Sequence, residues 1–186
     1  MQTLAIHGTF KSILWVALAT ALLLLVPLLA MRFTGEVQWT ALDFAVAGAL
    51  LFAAGLSFVL LTRSAGNIAY RLAAAIAVAA ALMLVWGNLA VGLIGSENNP
   101  ANLMYAGVIA IEIIGALVAC GRSRGMSRAL FATAIAQALV AVVALVGGLG
   151  ANEPPGWLGI LVLNVFFVAL FAASAWLFAR SARSNR

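Results

Sequence analysis

The sequence predicts an all-α fold, a polytopic membrane protein built as a bundle of six transmembrane helices. Three observations carry this. Of the 186 residues, 66% are hydrophobic and 8% charged, against roughly 45–50% and about 25% in soluble domains. So few charges cannot cover a water-facing surface, and most of the surface must meet lipid. The apolar residues also fall in six runs, about 12–32, 41–62, 70–95, 101–121, 128–150 and 156–179. Each comes close to the roughly 20 helical residues that cross a hydrocarbon core of about 30 Å. Finally, although the net charge is +5, the charges sit in short bursts between the runs. That is a membrane pattern, not a basic nucleic-acid surface, and no nucleic-acid partner is expected.

The first run follows Lys11. A competing reading makes it a signal peptide, with Lys11 in the n-region and cleavage after Ala30. Its apolar stretch of about 19 residues exceeds a usual h-region, and Leu28 fits the small-residue cleavage pattern poorly. The first run is therefore read as a helix that stays in the chain. Before the second run, "TALD" places Asp43 three residues after Thr40. This is a capping box with Asp in place of Glu, its charge suited to a helix N-terminus. Asn99-Pro100 opens the fourth run with an N-cap and a first-turn proline. Pro154-Pro155-Gly156 is read as doing the same for the sixth. No stretch is long or polar enough for a separate soluble domain, so residues 1–186 read as a single membrane domain.

Basic residues set the orientation. Lys11, Arg63, Arg71, Arg122, Arg124, Arg128, Arg180, Arg183 and Arg186 all fall on one side, with no acidic residue among them. The other side holds Arg32, Glu36, Glu97 and Glu153, with Asp43 just inside the second helix. Positive charge is retained in the cytoplasm, so both termini are expected there. Trp15, Trp39, Trp157 and Trp176 lie near predicted helix ends, and Trp86 is the exception. The segments beginning at Arg71 and Arg128 each follow an Arg-Ser pair, run through an Ala-rich body and close on a Gly turn, an acid and a proline. This suggests a parallel repeat of two-helix hairpins, although alanine-rich composition alone also produces it. The alanines at 73, 77, 80 and 81, and at 132, 136, 141 and 144, read as close helix packing.

Reactive side chains are scarce. Cys120 is the only cysteine and His7 the only histidine. This excludes an internal disulfide, paired-histidine haem and a thiolate or His-rich zinc site. No enzyme activity, cofactor or metal is expected. The informative residue is Glu112, in "GVIAIEIIG". It lies about 11 residues from the outer end of its helix, some 16 Å deep at ~1.5 Å per residue and so near the midplane. A charged carboxylate there costs on the order of 3 kcal/mol on insertion scales. No basic residue lies at that depth in any run. The carboxyl must therefore hold a proton or face a wet cavity. Gln137 sits at similar depth with Thr133 one turn away, Asn88 and Asn164 lie in the outer halves of their helices, and Tyr105 shares a face with Glu112. Together these form a candidate polar track from the outer side to Glu112, a binding site for a proton or substrate. The alternative is that Glu112 and the three amides hydrogen-bond neighbouring helices and only hold the bundle together.

The segment "GVIAIEIIG" resembles the first helix of the small multidrug resistance transporters. There a glutamate between glycines binds protons and cationic drugs competitively. The resemblance implies that role for Glu112, with Gly107 and Gly115 as packing positions. It covers nine of 186 residues, and those proteins carry the glutamate in the first of four helices rather than the fourth of six. It is a physical parallel and not a homology. The segments "DFAVAGALLFAAGL" and "WGNLAVGLIGSENNPANLMY" resemble a family of small bacterial multi-pass inner-membrane proteins of unknown function, which implies that location and no activity. Two functions are thus expected: a small transporter or proton- or ion-coupled carrier, or a non-transporting structural, accessory or assembly subunit of a membrane complex. Besides the lipid bilayer, the expected partners are a small-molecule or ion substrate, a second copy in a homodimer, or a membrane complex.

Overall fold

The structure, a computed structural model, describes residues 2–35, 37–63, 65 and 67–184, with side chains from residue 11 onward. Glu36, Ser64, Arg186 and the side chain of His7, which figured in the sequence reading, lie outside the described residues. Six α-helices run in chain order: α1 (Gln2–Phe33), α2 (Ala41–Thr62), α3 (Ile68–Ala90), α4 (Met104–Ala119), α5 (Ser123–Val146) and α6 (Gly156–Ser184), with a 3-10 turn over Pro100–Leu103 leading into α4. No strand occurs among the described residues. All six helices, α4 together with its 3-10 turn, are long and apolar enough to cross a membrane, which makes the chain an integral, multi-pass membrane protein. It divides into two compact units, Met1–Ser64 and Ala65–Arg186.

In the first unit, α1 and α2 form a hairpin packed closely enough that a Cβ on Gly55 would lie 2.6 Å from Val16. Thr40 and Asp43 form the capping box: Asp43 N–H donates to Thr40 Oγ1 at 3.3 Å, and Thr40 N–H donates to the Asp43 carboxylate at 2.7 Å. Trp39 and Phe44, flanking the box, meet edge to face at 5.3 Å, as a hydrophobic staple does. Thr40→Val is expected to cost α2 about 1 kcal/mol. Amide exchange at Asp43 should then quicken about fivefold while α5 and α6 are unchanged, which mass-resolved hydrogen exchange would read.

In the second unit, α4 packs on α5, α5 on α6 and α6 on α3, whereas the consecutive helices α3 and α4 touch only lightly. Two equivalent hairpins would have packed α3 on α4 as α5 packs on α6, so the suggested repeat does not extend to the packing. Small residues permit the close approaches. Ala73, Ala77, Ala80, Ala141 and Ala144 are buried; Ala132 is exposed, and Ala129 and Ala134 take the interior positions on that part of α5. Larger side chains, among them Leu84, Phe171 and Phe178, fill the remaining interior. Ser174 of α6 donates to the Ala73 carbonyl of α3 at 2.8 Å. At the arginine-rich end, the Tyr70 hydroxyl donates to the Gly121 carbonyl at 2.8 Å, and its ring meets Phe178 edge to face at 4.9 Å.

At the opposite end the α3–α4 and α5–α6 loops join. The Glu153 carboxylate accepts from Ser96 N–H at 2.8 Å. Gly95 and Gly150, at φ +66° and +68°, bring their backbones together so closely that a Cβ on Gly95 would stand 3.3 Å from Gly150 Cα and 2.5 Å from the Glu153 carboxylate. Only glycine combines that conformation with that approach. Several helix ends differ from the sequence reading: α1 begins at Gln2, α5 spans Ser123–Val146 and α6 runs on to Ser184. The third helix leaves its apolar run at Ala90, because Gly92 at φ +73° turns the chain. The prolines at 154 and 155 precede α6 instead of opening it, since Gly156 adopts φ +69° between them and the helix body.

Candidate functional site

The site is built on α4, α5 and α6. Gly115 of α4 stands against Ala129 of α5, and Ala119 against Gly125, which fixes an antiparallel register. One turn back along α4, Glu112 lies level with Ala132 and Thr133. Gln137 lies level with Gly107, about five residues or ~7 Å along the axis from Glu112. Cα–Cβ bonds tilt toward a helix N-terminus. Glu112 on α4 and Gln137 on the antiparallel α5 therefore lean toward each other and narrow that gap.

Three of the predicted residues come together in one network. Asn164 of α6 accepts at Oδ1 from Gln137 Nε2 at 2.9 Å and from the Tyr105 hydroxyl at 3.2 Å. Its Nδ2 donates to the Tyr105 oxygen at 3.0 Å and to the Ile160 carbonyl at 2.8 Å. All three side chains are buried, Gln137 completely. This triad ties α4, α5 and α6 together about one and a half turns from Glu112.

Glu112 is also buried, at 8% exposure. Its Oε2 has no hydrogen-bond partner among the described residues, and neither does Gln137 Oε1. Two buried acceptor oxygens on facing helices thus lack donors at mid-membrane, where water cannot freely supply them and each unpaired group is costly. Both are acceptors, so the missing partner of each is a donor.

The other predicted residues serve elsewhere. Asn88 is half-buried at the end of α3; its Nδ2 reaches the Asn102 carbonyl at 3.4 Å and its Oδ1 is unpaired. It belongs to the loop end of the unit and not to the triad. Thr133 donates to the Ala129 carbonyl of its own helix at 3.0 Å. Sequence reasoning missed Asn102. This buried side chain accepts from Leu93 and Ile94 N–H at 3.1 and 2.9 Å and donates to the Ser96 carbonyl at 2.8 Å, organising the α3–α4 loop. The signal was present: a glycine-rich loop beside an apolar segment must find acceptors for its backbone N–H groups.

The chain matches no protein-family model, no curated protein and no solved structure.

Proposed function

We propose that the protein is a small proton- or cation-coupled carrier of a bacterial inner membrane, with both termini cytoplasmic and Glu112 as its exchange site. The observation that carries this reading is the pair of orphaned acceptors, Glu112 Oε2 and Gln137 Oε1, buried on facing helices with no basic side chain at that depth. A carboxyl so placed is tolerable in lipid only while a proton or cation occupies it, and intramembrane ionisable groups commonly mark ion pathways. The Tyr105–Asn164–Gln137 network would then act as a frame that fixes the Gln137 amide through its bond to Asn164. The hydrogen-bonded triad also favours a second reading. Its members already act as interhelical ties, as in a non-transporting accessory subunit in which Glu112 is a further tie.

Glu112→Gln separates the two, because it preserves shape and donor capacity while abolishing titration. The expected result is a carboxyl-stretch band in liposome difference infrared spectra that changes between about pH 5 and 9. The band should be absent in a variant that folds as well as the wild type. A wild-type spectrum without any Glu112-dependent change over that range would remove the carrier reading and leave the accessory one.

A further inference from the structure

At the arginine-rich end of the second unit, a groove of about 310 Å³ opens between the first turns of α5 and the last turns of α6. Its walls are two matched faces. Arg124, Ser127 and Arg128 occupy i, i+3 and i+4 of α5, and Ala179, Ala182 and Arg183 occupy i, i+3 and i+4 of α6. Residues so spaced share one side of a helix. The two alanines leave the space open, and three arginines line it.

No described acid of the second unit lies beside this charge. The five acidic residues are Glu36, Asp43, Glu97, Glu112 and Glu153. Of the three in this unit, Glu97 and Glu153 belong to the loops at the opposite end and Glu112 to mid-α4. No ion pair joins the three arginines to an acid among the described residues. The first turn of α5 adds to the field, because Arg122 at its N-cap makes no side-chain capping hydrogen bond. The opening N–H groups of the helix therefore keep their partial positive charge.

The depth is also informative. α6 has 29 residues and at ~1.5 Å each outruns a hydrocarbon core of about 30 Å. Its last turns, which form one wall of the groove and carry Arg180 and Arg183, are the charged part that the apolar core would leave uncovered, at the level of the lipid phosphates. Guanidinium groups bind phosphate oxygens in bidentate fashion, and the volume is sufficient for a headgroup but small for a larger ligand.

We infer that this groove is a binding site for a phosphate-bearing anion, held by Arg124, Arg128 and Arg183 with Ser127 as a hydroxyl donor. The same chemistry is offered by a phospholipid headgroup and by a soluble phosphate, so the test has an arm for each. The purified full chain in detergent is titrated with phosphatidylglycerol, with uncharged diacylglycerol and with inorganic phosphate, and bound adducts are counted by native mass spectrometry. Three variants are compared with the wild type: Arg124→Gln with Arg128→Gln, the charge-matched control Arg63→Gln with Arg71→Gln, and Ala182→Leu, which fills the groove without altering charge.

The expected result is retention of the phosphate-bearing probe over diacylglycerol, weakened about tenfold by the groove pair and by Ala182→Leu and unchanged by the control pair. A tenfold loss corresponds to about 1.4 kcal/mol. Retention of phosphatidylglycerol alone identifies a lipid headgroup, and displacement by inorganic phosphate identifies a soluble anion. Equal weakening by the control pair, no effect of Ala182→Leu, or no preference over diacylglycerol each overturns the site.

Discussion

Asn164→Leu is expected to destabilise the second unit by about 2–4 kcal/mol. Asn164 takes part in four hydrogen bonds and is the only side chain that touches both Tyr105 and Gln137 in the network. Leucine is close in size, so the cost comes from polarity and not from a cavity. It strands a buried hydroxyl and a buried amide, each worth about 1–3 kcal/mol when unpaired. Interhelical hydrogen bonds in membranes average only about 0.6 kcal/mol and reach about 1.7, which keeps the estimate well below the sum for the separate groups. Fraction folded against added denaturing detergent would measure it. The physical cause can be isolated by adding Gln137→Leu and Tyr105→Phe, because removing all the polar partners leaves nothing unpaired. The triple variant should regain more than half of the loss. If Asn164→Leu alone costs under about 0.5 kcal/mol, the triad does not hold α4, α5 and α6 together.

The triad also shows where reading a sequence succeeds and where it stops. Six membrane-crossing helices were legible because each apolar run must be about as long as the bilayer is thick, a constraint that acts on every run independently. The capping box was legible for a similar reason: Thr40 and Asp43 are three residues apart and interact through local backbone geometry. Tyr105, Gln137 and Asn164 could be named as intramembrane polar groups, since each breaks an apolar pattern. Their pairing depends on the register between α4 and α5 and on α6 packing beside both, which no local spacing encodes. Asn88 has the same sequence signature as Asn164, yet α3 packs on α6 with its Asn88 end at the loops, where the side chain meets Asn102. The division into a two-helix and a four-helix unit was illegible for the same reason, as both units are written in the same alphabet of Leu, Val and Ala. The loop junction at Gly95 and Gly150 needed both partners in view, because each glycine alone reads as an ordinary turn.

Gly115→Val is expected to have the largest effect on the candidate site, although it alters none of the site's own side chains. A Cβ at Gly115 would lie 2.6 Å from Ala129 Cβ and 3.2 Å from its Cα. The nearest obstacle is thus the Ala129 methyl with its own backbone close behind, and a methyl has no rotamer change to relieve it. Both faces must separate or rotate. Overpacking typically costs about 1–3 kcal/mol and occasionally more. Valine at a contact this close belongs at or above 3 kcal/mol, and alanine at about 2. The membrane makes the strain harder to absorb, since helices there associate through close packing of small residues and not through a hydrophobic drive. The same contact sets the α4–α5 register that brings Glu112 and Gln137 toward each other, so separating the helices at Gly115, three residues from Glu112, should also remove the Glu112-dependent infrared change. A reciprocal swap tests the cause. Gly115→Ala with Ala129→Gly moves the methyl group from one helix to the other and should recover most of the stability lost by Gly115→Ala alone, together with the infrared change. If the swap recovers neither, the Gly115–Ala129 contact does not set the spacing of α4 and α5. If it recovers stability but not the infrared change, the contact governs packing alone and the exchange site does not depend on the register it imposes.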